Sequence, residues 1–208
     1  MEVNKESEKQ SFIAEARRAQ IIEAAIKTLD EIGYVQASLA QIAKRAGIST
    51  ALISYHFNDK DDLMNHVLVK LVEDSTAYVL EKVRRHNRPG EQLNAFILAS
   101  LAYQGTNPAR NSALVEIVFN ARTPDKIPYY KLGDDEEEPL LQELKQILSD
   151  GQAQAVFGDF NIDVMASVIQ GAIGEYMLST TITKKVDLET YSNELVQIVR
   201  RAIKSRSH

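Results

Sequence analysis

SLAQIAKRAGISTALISYHFNDKDDL, residues 38–63, predicts two short helices joined by a tight turn and followed at once by the start of a third. Ser38 and Gln41 stand three positions apart at the head of an apolar pattern, which is the spacing of a capping box. We therefore expect a helix to begin at Leu39. Gly47 should end it, because glycine adopts the left-handed geometry of a helix C′ position without steric cost.

The second predicted helix has Ser49 as its cap and an outward side suited to nucleic acid. Its inward side is apolar, with Leu52, Ile53 and Phe57. The outward positions carry small, polar or aromatic side chains without an acid, which permits close approach to base edges and phosphates. These positions are Thr50, Ala51, Ser54, Tyr55 and His56. Two short helices around a glycine turn make a helix-turn-helix, whose second helix enters the major groove.

Nine residues of this stretch resemble the signature of the TetR family of bacterial transcriptional regulators. They are Ala43, Gly47, Ile48, Ser49, Ile53, His56, Phe57, Lys60 and Leu63. The resemblance covers about the first seventy residues, and the run STALISYHF is most similar to the regulators of choline and betaine genes. Together with the helical patterns, it implies an all-α fold. An N-terminal three-helix helix-turn-helix DNA-binding domain would be joined by a long helix to a C-terminal helical ligand-binding and dimerisation domain.

The candidate DNA contacts include two departures from the family pattern. Members often have Gly at the place of Ala51 and Tyr at the place of Ser54, and we expect Tyr55 and His56 to take over the contact of that tyrosine. Lys60 is interpreted as a phosphate contact or as a salt-bridge partner of Asp59 or Asp61. The expected DNA-binding residues are Ser38, Ala40, Gln41, Ser49, Thr50, Ala51, Leu52, Ser54, Tyr55, His56 and Lys60.

Arg17 and Arg18 have two open readings. The pair can reach a phosphate or a minor groove, or it can be an ordinary solvated face at the start of a helix.

Composition bounds the class of protein. The 208 residues are 44% hydrophobic and 25% charged, as in an ordinary soluble protein. The sequence has neither a membrane-length apolar run nor a signal peptide, and it has no cysteine, so we expect a cytosolic protein without disulfides.

The net charge is −5, yet residues 1–60 contain eight basic and eight acidic residues, so the acidic excess lies beyond residue 60. DNA binding needs only a local positive face.

Taken in order, the chain predicts a disordered tail at 1–11, the DNA-binding domain at 12–58 and an effector-binding and dimerisation domain at 59–208. Proline and acidic residues between Arg122 and Pro139 indicate a long connection. Helices outside the quoted stretch are expected at 12–32, from about 60 to 85, and at 93–103, 113–119, 140–157, 162–181 and 188–202.

The last two helices are apolar over a wide arc, which implies a second partner and hence a four-helix homodimer interface. The residues expected there are Ile169, Ile173, Tyr191, Leu195, Ile198 and Val199. A pocket for a small, partly apolar effector is expected inside the same domain, because tyrosines there bring hydroxyls that a dry core would have to satisfy. Its expected lining is Phe96, Tyr103, Phe119, Tyr129, Tyr130, Phe157, Met165 and Tyr176. The same residue types also form plain cores.

The sequence offers no catalytic constellation. Its four histidines lie far apart, and neither a glycine-rich phosphate loop nor a GxSxG elbow occurs. The acids Asp134 to Glu138 are interpreted as the cap of the next helix, so we expect no metal and no cofactor. The sequence therefore favours a TetR-type repressor that binds a palindromic operator as a homodimer and is released by a small molecule. An activator, a regulator controlled by a protein partner and a helical adaptor remain alternatives.

Overall fold

The computed structural model describes residues 2–131 and 138–204, with side chains from residue 11 onward. The described residues form ten α-helices and one short 3-10 helix at Tyr129–Lys131. The helices are α1 (Glu2–Gln36), α2 (Leu39–Ala46), α3 (Thr50–His56), α4 (Lys60–Val83), α5 (Pro89–Thr106), α6 (Pro108–Asn120), α7 (Pro139–Ala153), α8 (Ile162–Leu178), α9 (Thr180–Lys185) and α10 (Leu188–Ala202). The predicted all-α fold class is confirmed.

Several helix boundaries differ from the sequence prediction by a few residues, and two differences are larger. Helix α1 extends back to Glu2 through the tail predicted to be disordered, since residues 2–11 contain neither Gly nor Pro to break it. The helix expected at 162–181 divides at Ser179, whose hydroxyl accepts a hydrogen bond from the Ile182 amide and so caps a separate α9.

The chain forms two compact units. The first comprises residues 1–72 and 109–132, and the second comprises residues 73–108 and 133–208. The chain therefore crosses between the units three times, whereas the sequence suggested the long helix α4 as the only link. The boundary within α4 falls after Val72.

The first unit combines α1 to α3 and the first half of α4 with α6, which the sequence assigned to the effector domain. Ala113, Ile117 and Ala121 from α6 and the residue after it are at most 3% exposed. They pack in one apolar cluster with Ile42 of α2 and Ile53 of α3. Sequence periodicity reveals an apolar face but not its partner, so this long-range contact could not be assigned from the pattern.

The second unit is built around α5, which contacts α7, α8 and α10. Its core includes Phe96 and Ile97 of α5, Leu144 of α7 and Ile169 of α8, each at most 2% exposed. This core also contains residues that the sequence placed at the dimer interface. Four of the six residues expected there are buried within the chain itself, at 0 to 7% exposure: Ile169, Ile173, Leu195 and Val199.

The other two expected interface residues differ in exposure. Ile198 is 56% exposed, whereas Tyr191 is half-buried and its hydroxyl donates a hydrogen bond of 2.6 Å to the Ala172 carbonyl oxygen. The broad apolar arc of the last two helices thus arises mainly from intramolecular neighbours, because α5 and α7 cover much of it.

The acidic run before α7 and the possibility of a membrane-spanning helix are considered for the described residues. Within the acidic run Asp134 to Glu138, only Glu138 belongs to the described residues; it is the N-cap residue of α7 but makes no side-chain cap hydrogen bond, and the capping role expected of the other four acids lies outside the described residues. Among the helices of the described part, none has the length and apolarity that a membrane crossing requires.

Gly33 is where α1 departs from helical geometry, with φ 73° and ψ 169°. A Cβ added there would lie 3.1 Å from a Glu116 carboxylate oxygen. This backbone region is essentially restricted to glycine, and other residues cost about 1–3 kcal/mol there.

We expect Gly33→Ala to lower the free energy of unfolding by about 1–3 kcal/mol, through backbone strain and crowding of Glu116. Urea denaturation followed by circular dichroism measures the change. The matched control is Gly90→Ala, since Gly90 lies in α5 and nothing is within 4 Å of its added Cβ. A Gly33→Ala protein as stable as the Gly90→Ala protein would contradict this reading.

Candidate nucleic-acid interface

The helix-turn-helix is capped as the sequence predicts. The Ser38 hydroxyl accepts a hydrogen bond from the Gln41 amide, and the Gln41 side chain accepts one from the Ser38 amide at 2.9 Å, which completes the capping box. Gly47 ends α2 with φ 68°. The Ser49 hydroxyl then accepts from the Leu52 amide and caps α3. Local side-chain chemistry therefore sets the start of both helices.

Helix α3 has one buried and one exposed side. Ile53 and the following Phe57 are at most 1% exposed and belong to the core of the first unit. Tyr55 is 81% exposed and packs edge-on against the His56 ring, with centroids 5.1 Å apart. The exposed residues predicted to contact DNA are Ser38, Ala40, Gln41, Ser49, Thr50, Ala51, Ser54 and Tyr55, while Leu52, His56 and Lys60 are half-buried.

Arg18 of α1 holds the end of α3. Its Nη1 donates to the His56 carbonyl oxygen at 2.8 Å, and its guanidinium carbon lies 4.6 Å from the centre of the Phe57 ring. A cation at a helix C-terminus satisfies a carbonyl group and opposes the negative end of the helix dipole. The structure therefore gives Arg18 a structural contact that neither sequence reading of the arginine pair included. Arg17 donates instead to the neighbouring Gln20 side chain at 2.6 Å.

The same helix α1 also holds α2. The side-chain amide of Gln20 donates from Nε2 to the Ala46 carbonyl oxygen at 2.7 Å, at the C-terminal end of α2. Arg45 of α2 reaches back to α1, where its guanidinium pairs with Glu31 and donates to the Thr28 hydroxyl. Side chains from both helices therefore fix α2 against α1.

His56 and Lys60 lie in environments that disfavour their charged forms. Partial burial and the nearby Arg18 and Arg17 lower the pKa of His56. Burial lowers the pKa of Lys60, although the Asp61 carboxylate opposes that shift. The Lys60 ammonium donates to the Tyr34 carbonyl oxygen at 2.6 Å and lies 4.4 Å from the centre of the Tyr34 ring. From the sequence we expected Lys60 to contact a phosphate or an acidic residue, whereas in the structure its partner is Tyr34.

Tyr34 joins three elements. Its amide donates to Glu116 of α6 at 2.7 Å, its carbonyl accepts from Lys60, and its hydroxyl donates to Asp61 of α4 at 3.1 Å. Burial and the Asp61 carboxylate raise the pKa of the Tyr34 phenol above its usual range, so the hydroxyl remains a donor at neutral pH. The end of α1, immediately before α2, is therefore held by both α4 and α6.

The sequence did not identify Tyr34, Arg18, Gln20 or Glu116 in these roles. Glu116 is 82 positions from Tyr34 along the chain, so the local pattern contains no signal for their contact. For Arg18 the only available signal is an arginine on the helix that precedes the helix-turn-helix.

The eight residues expected to line an effector pocket are divided between the two units. Phe119, Tyr129 and Tyr130 belong to the first unit, where the Phe119 and Tyr130 rings lie 5.7 Å apart and the Tyr129 hydroxyl donates to Asn65. Phe96, Tyr103, Phe157, Met165 and Tyr176 belong to the second unit.

Within the second unit these five residues are mainly core. Phe96 and Phe157 are buried, and Met165 and Tyr176 pack against the same core. Tyr103 contacts Tyr78, with ring centres 5.5 Å apart. Only Phe157 among the eight lines the cavity of the second unit described below.

Residues 21–67 match the family model described as bacterial regulatory proteins, tetR family. The HTH-type transcriptional regulator BetI of Burkholderia ambifaria is 36% identical over 87 residues, which are 41% of this chain and 45% of that protein. BetI of Stenotrophomonas maltophilia is 35% identical over 82 residues, which are 39% of this chain and 42% of that protein. The chain thus matches less than half the length of these relatives.

Solved structures extend the likeness over most of the chain. The fatty acid degradation regulator FadR of Bacillus halodurans has a TM-score of 0.75 at 18% identity, over 91% of this chain and 97% of that one. A regulatory protein of the tetR family from Rhodococcus has a TM-score of 0.76 at 16% identity, over 92% and 98%. At these identities the likeness shows the fold. The predicted resemblance to the TetR family is confirmed.

We expect Arg18→Met to lower the free energy of unfolding by about 1.5–3 kcal/mol, because the His56 carbonyl loses its charged donor while the apolar contact with Phe57 is kept. Urea denaturation again provides the measurement. Arg17→Met is the matched control, since Arg17 bonds only to an exposed neighbour, and it should stay within about 0.5 kcal/mol of the parent. Equal losses in the two variants would show that the contact of Arg18 with α3 is not stabilising.

Proposed function

From the TetR-family helix-turn-helix in residues 21–67, we propose that the chain is a transcriptional repressor that binds a palindromic operator as a homodimer and is released by a small-molecule effector. One observation carries the DNA-binding part of this proposal. Helix α3 exposes Thr50, Ala51, Ser54 and Tyr55 on one side while Ile53 anchors the other in the core.

The exposed residues of α3 fall into two groups, which suit different parts of the DNA. Thr50, Ala51 and Ser54 have short side chains on a rigid helix, so they suit base edges in the major groove. Tyr55 and His56 at its end, with Ser38 at the start of α2, suit phosphates, and phosphate contacts set the register of the protein on the duplex. Lys60 joins them when DNA phosphate replaces the Tyr34 carbonyl as its partner.

The homodimer would use an exposed apolar stripe on α8 and α10, in place of the buried residues that the sequence suggested. Val164, Val168 and Leu178 of α8 and Ile198 of α10 are 50 to 61% exposed. Gly171 lies on the same side of α8, and nothing is within 4 Å of its added Cβ, so a second helix can approach closely there. A two-fold axis through this stripe accounts for a palindromic operator.

Release by an effector requires that the ligand bind more tightly to the DNA-incompetent form. Coupling between two sites is reciprocal and typically amounts to about 1–3 kcal/mol. In this chain the coupling has three covalent routes, since the chain crosses between the units at 72/73, 108/109 and 132/133. The crossing at 108/109, in the first residues of α6, is the nearest of the three to Glu116 along the chain.

Selection from random double-stranded DNA tests the proposal. The full chain should enrich a palindrome whose half-site centres are about 34–36 Å apart or a multiple of that distance, as two recognition helices in successive grooves require. Transcription in vitro from a promoter carrying that site should fall when the protein is added. Enrichment of no sequence would favour the helical adaptor, and a rise in transcription would favour the activator.

On the selected operator we expect Thr50→Ala to weaken binding by about 1–3 kcal/mol and to leave binding to random DNA unchanged, because a base-edge contact is lost. Lys60→Met should instead weaken binding to both DNAs alike and reduce the slope of affinity against salt by about one unit. Fluorescence anisotropy titrations at several salt concentrations measure both effects. If the two variants lose the same affinity for both DNAs, the division into base and phosphate contacts is wrong.

For the dimer, we expect Val168→Asp to convert the protein to monomers, because a carboxylate at the centre of the stripe would be buried without a partner. Sedimentation velocity gives the result directly. Val69→Asp on α4 is the control, since Val69 is 53% exposed and Val168 is 56% exposed. A Val168→Asp protein that sediments as an unchanged dimer would place the interface elsewhere.

A further inference from the structure

The second unit contains a cavity of about 510 Å³ where the start of α5 meets the residues that follow α7 and the end of α10. Its volume lies within the range of small-molecule sites, about 300–1,000 Å³. None of the residues expected to bind DNA or to form the dimer lines it. Of the residues predicted to bind an effector, it includes only Phe157.

The floor of this cavity is apolar. Leu93 of α5, Phe157 after α7 and Ile203 after α10 line it and are each at most 6% exposed. The floor is also held in place, because the Gly158 amide donates to the Ile203 carbonyl oxygen at 2.8 Å and so joins two sides of the cavity. Val156 after α7 also lines the cavity and is 50% exposed, so a ligand lying against it and the floor would remove apolar surface from water.

The rim is cationic. Arg88, Arg200 and Lys204 line the cavity and are exposed. The Arg200 Nε donates to the Asn94 side-chain oxygen at 3.0 Å, which orients the guanidinium. Its terminal N–H groups can bind a carboxylate with two parallel hydrogen bonds.

One acidic residue, Glu91, also lines the cavity, and its carboxylate lies near a histidine. The Glu91 carboxylate lies 3.8 Å from His86 Nδ1, outside the lining residues. With three basic residues and one acid, the lining has a formal charge of +2. The positive end of α5, an 18-residue helix that begins at Pro89, adds to the positive potential at the same rim.

We propose that this cavity binds amphipathic anions, with a carboxylate at Arg200, Arg88 and Lys204 and an apolar body on the Leu93, Phe157 and Ile203 floor. An inorganic anion would make no apolar contact with the floor, and a neutral apolar compound would not pair with the basic residues of the rim. The proposal concerns ligand binding by the second unit and does not depend on DNA binding by the first.

Isothermal titration of the full chain with sodium octanoate tests the proposal, with 1-octanol and inorganic phosphate as comparison ligands. Octanoate should bind saturably and at least tenfold more tightly than either. Equal affinities for octanoate and octanol would show that the cations do not contribute, and equal affinities for octanoate and phosphate would show that the floor does not. Absence of saturable octanoate binding would overturn the proposal.

Variants locate the site. Arg200→Gln and Lys204→Gln should each weaken octanoate binding at least fivefold, whereas Arg201→Gln should leave it unchanged, because Arg201 lies beside Arg200 on α10 but does not line the cavity. Because Arg200 and Lys204 are both exposed and are substituted separately, one variant still gives the result if the other folds poorly. Equal affinities in the Arg200→Gln, Lys204→Gln and Arg201→Gln proteins would exclude this cavity as the site.

Discussion

The hydrogen bond from the Tyr34 amide to the Glu116 carboxylate is the constraint on which the geometry of the first unit depends. It is formed at Gly33, where α1 leaves helical geometry and the chain turns toward α2. An amide donor at such a turn has no partner within its own helix, and a charged acceptor satisfies it better than a neutral one. The carboxylate comes from α6, so the entry to the helix-turn-helix is set by an element far away in sequence.

The remaining contacts extend this arrangement to the recognition helix. Gln20 and Arg18 of α1 satisfy carbonyl groups at the ends of α2 and α3. Lys60 and Asp61 at the start of α4 hold the carbonyl and hydroxyl of the same Tyr34. Because the contacts that hold α3 use its buried side and its last carbonyl group, its outward side chains remain exposed.

Local sequence predicted the parts that local chemistry determines. The capping box of Ser38 and Gln41, the turn at Gly47 and the buried side of α3 follow from residues within a few positions of one another. The covering of the last predicted helices does not follow from local sequence, since a wide apolar arc looks the same whether a second copy or the same chain covers it. Leu195 illustrates this, because it is only 7% exposed and lies in the core of its own unit.

Helix α6 positions the helix-turn-helix through Glu116. Amide hydrogen exchange in the full chain tests it most directly, with Glu116→Ala compared with the parent and with Asn120→Ala, whose side chain bonds to Glu116 from the same helix. We expect exchange of the Tyr34 amide and of the α2 and α3 amides to accelerate about tenfold in Glu116→Ala, as the loss of a charged hydrogen bond of roughly 1.5 kcal/mol requires. The acceleration in Asn120→Ala should be smaller. Unchanged exchange in α2 and α3 of the Glu116→Ala protein would show that Glu116 does not position these helices.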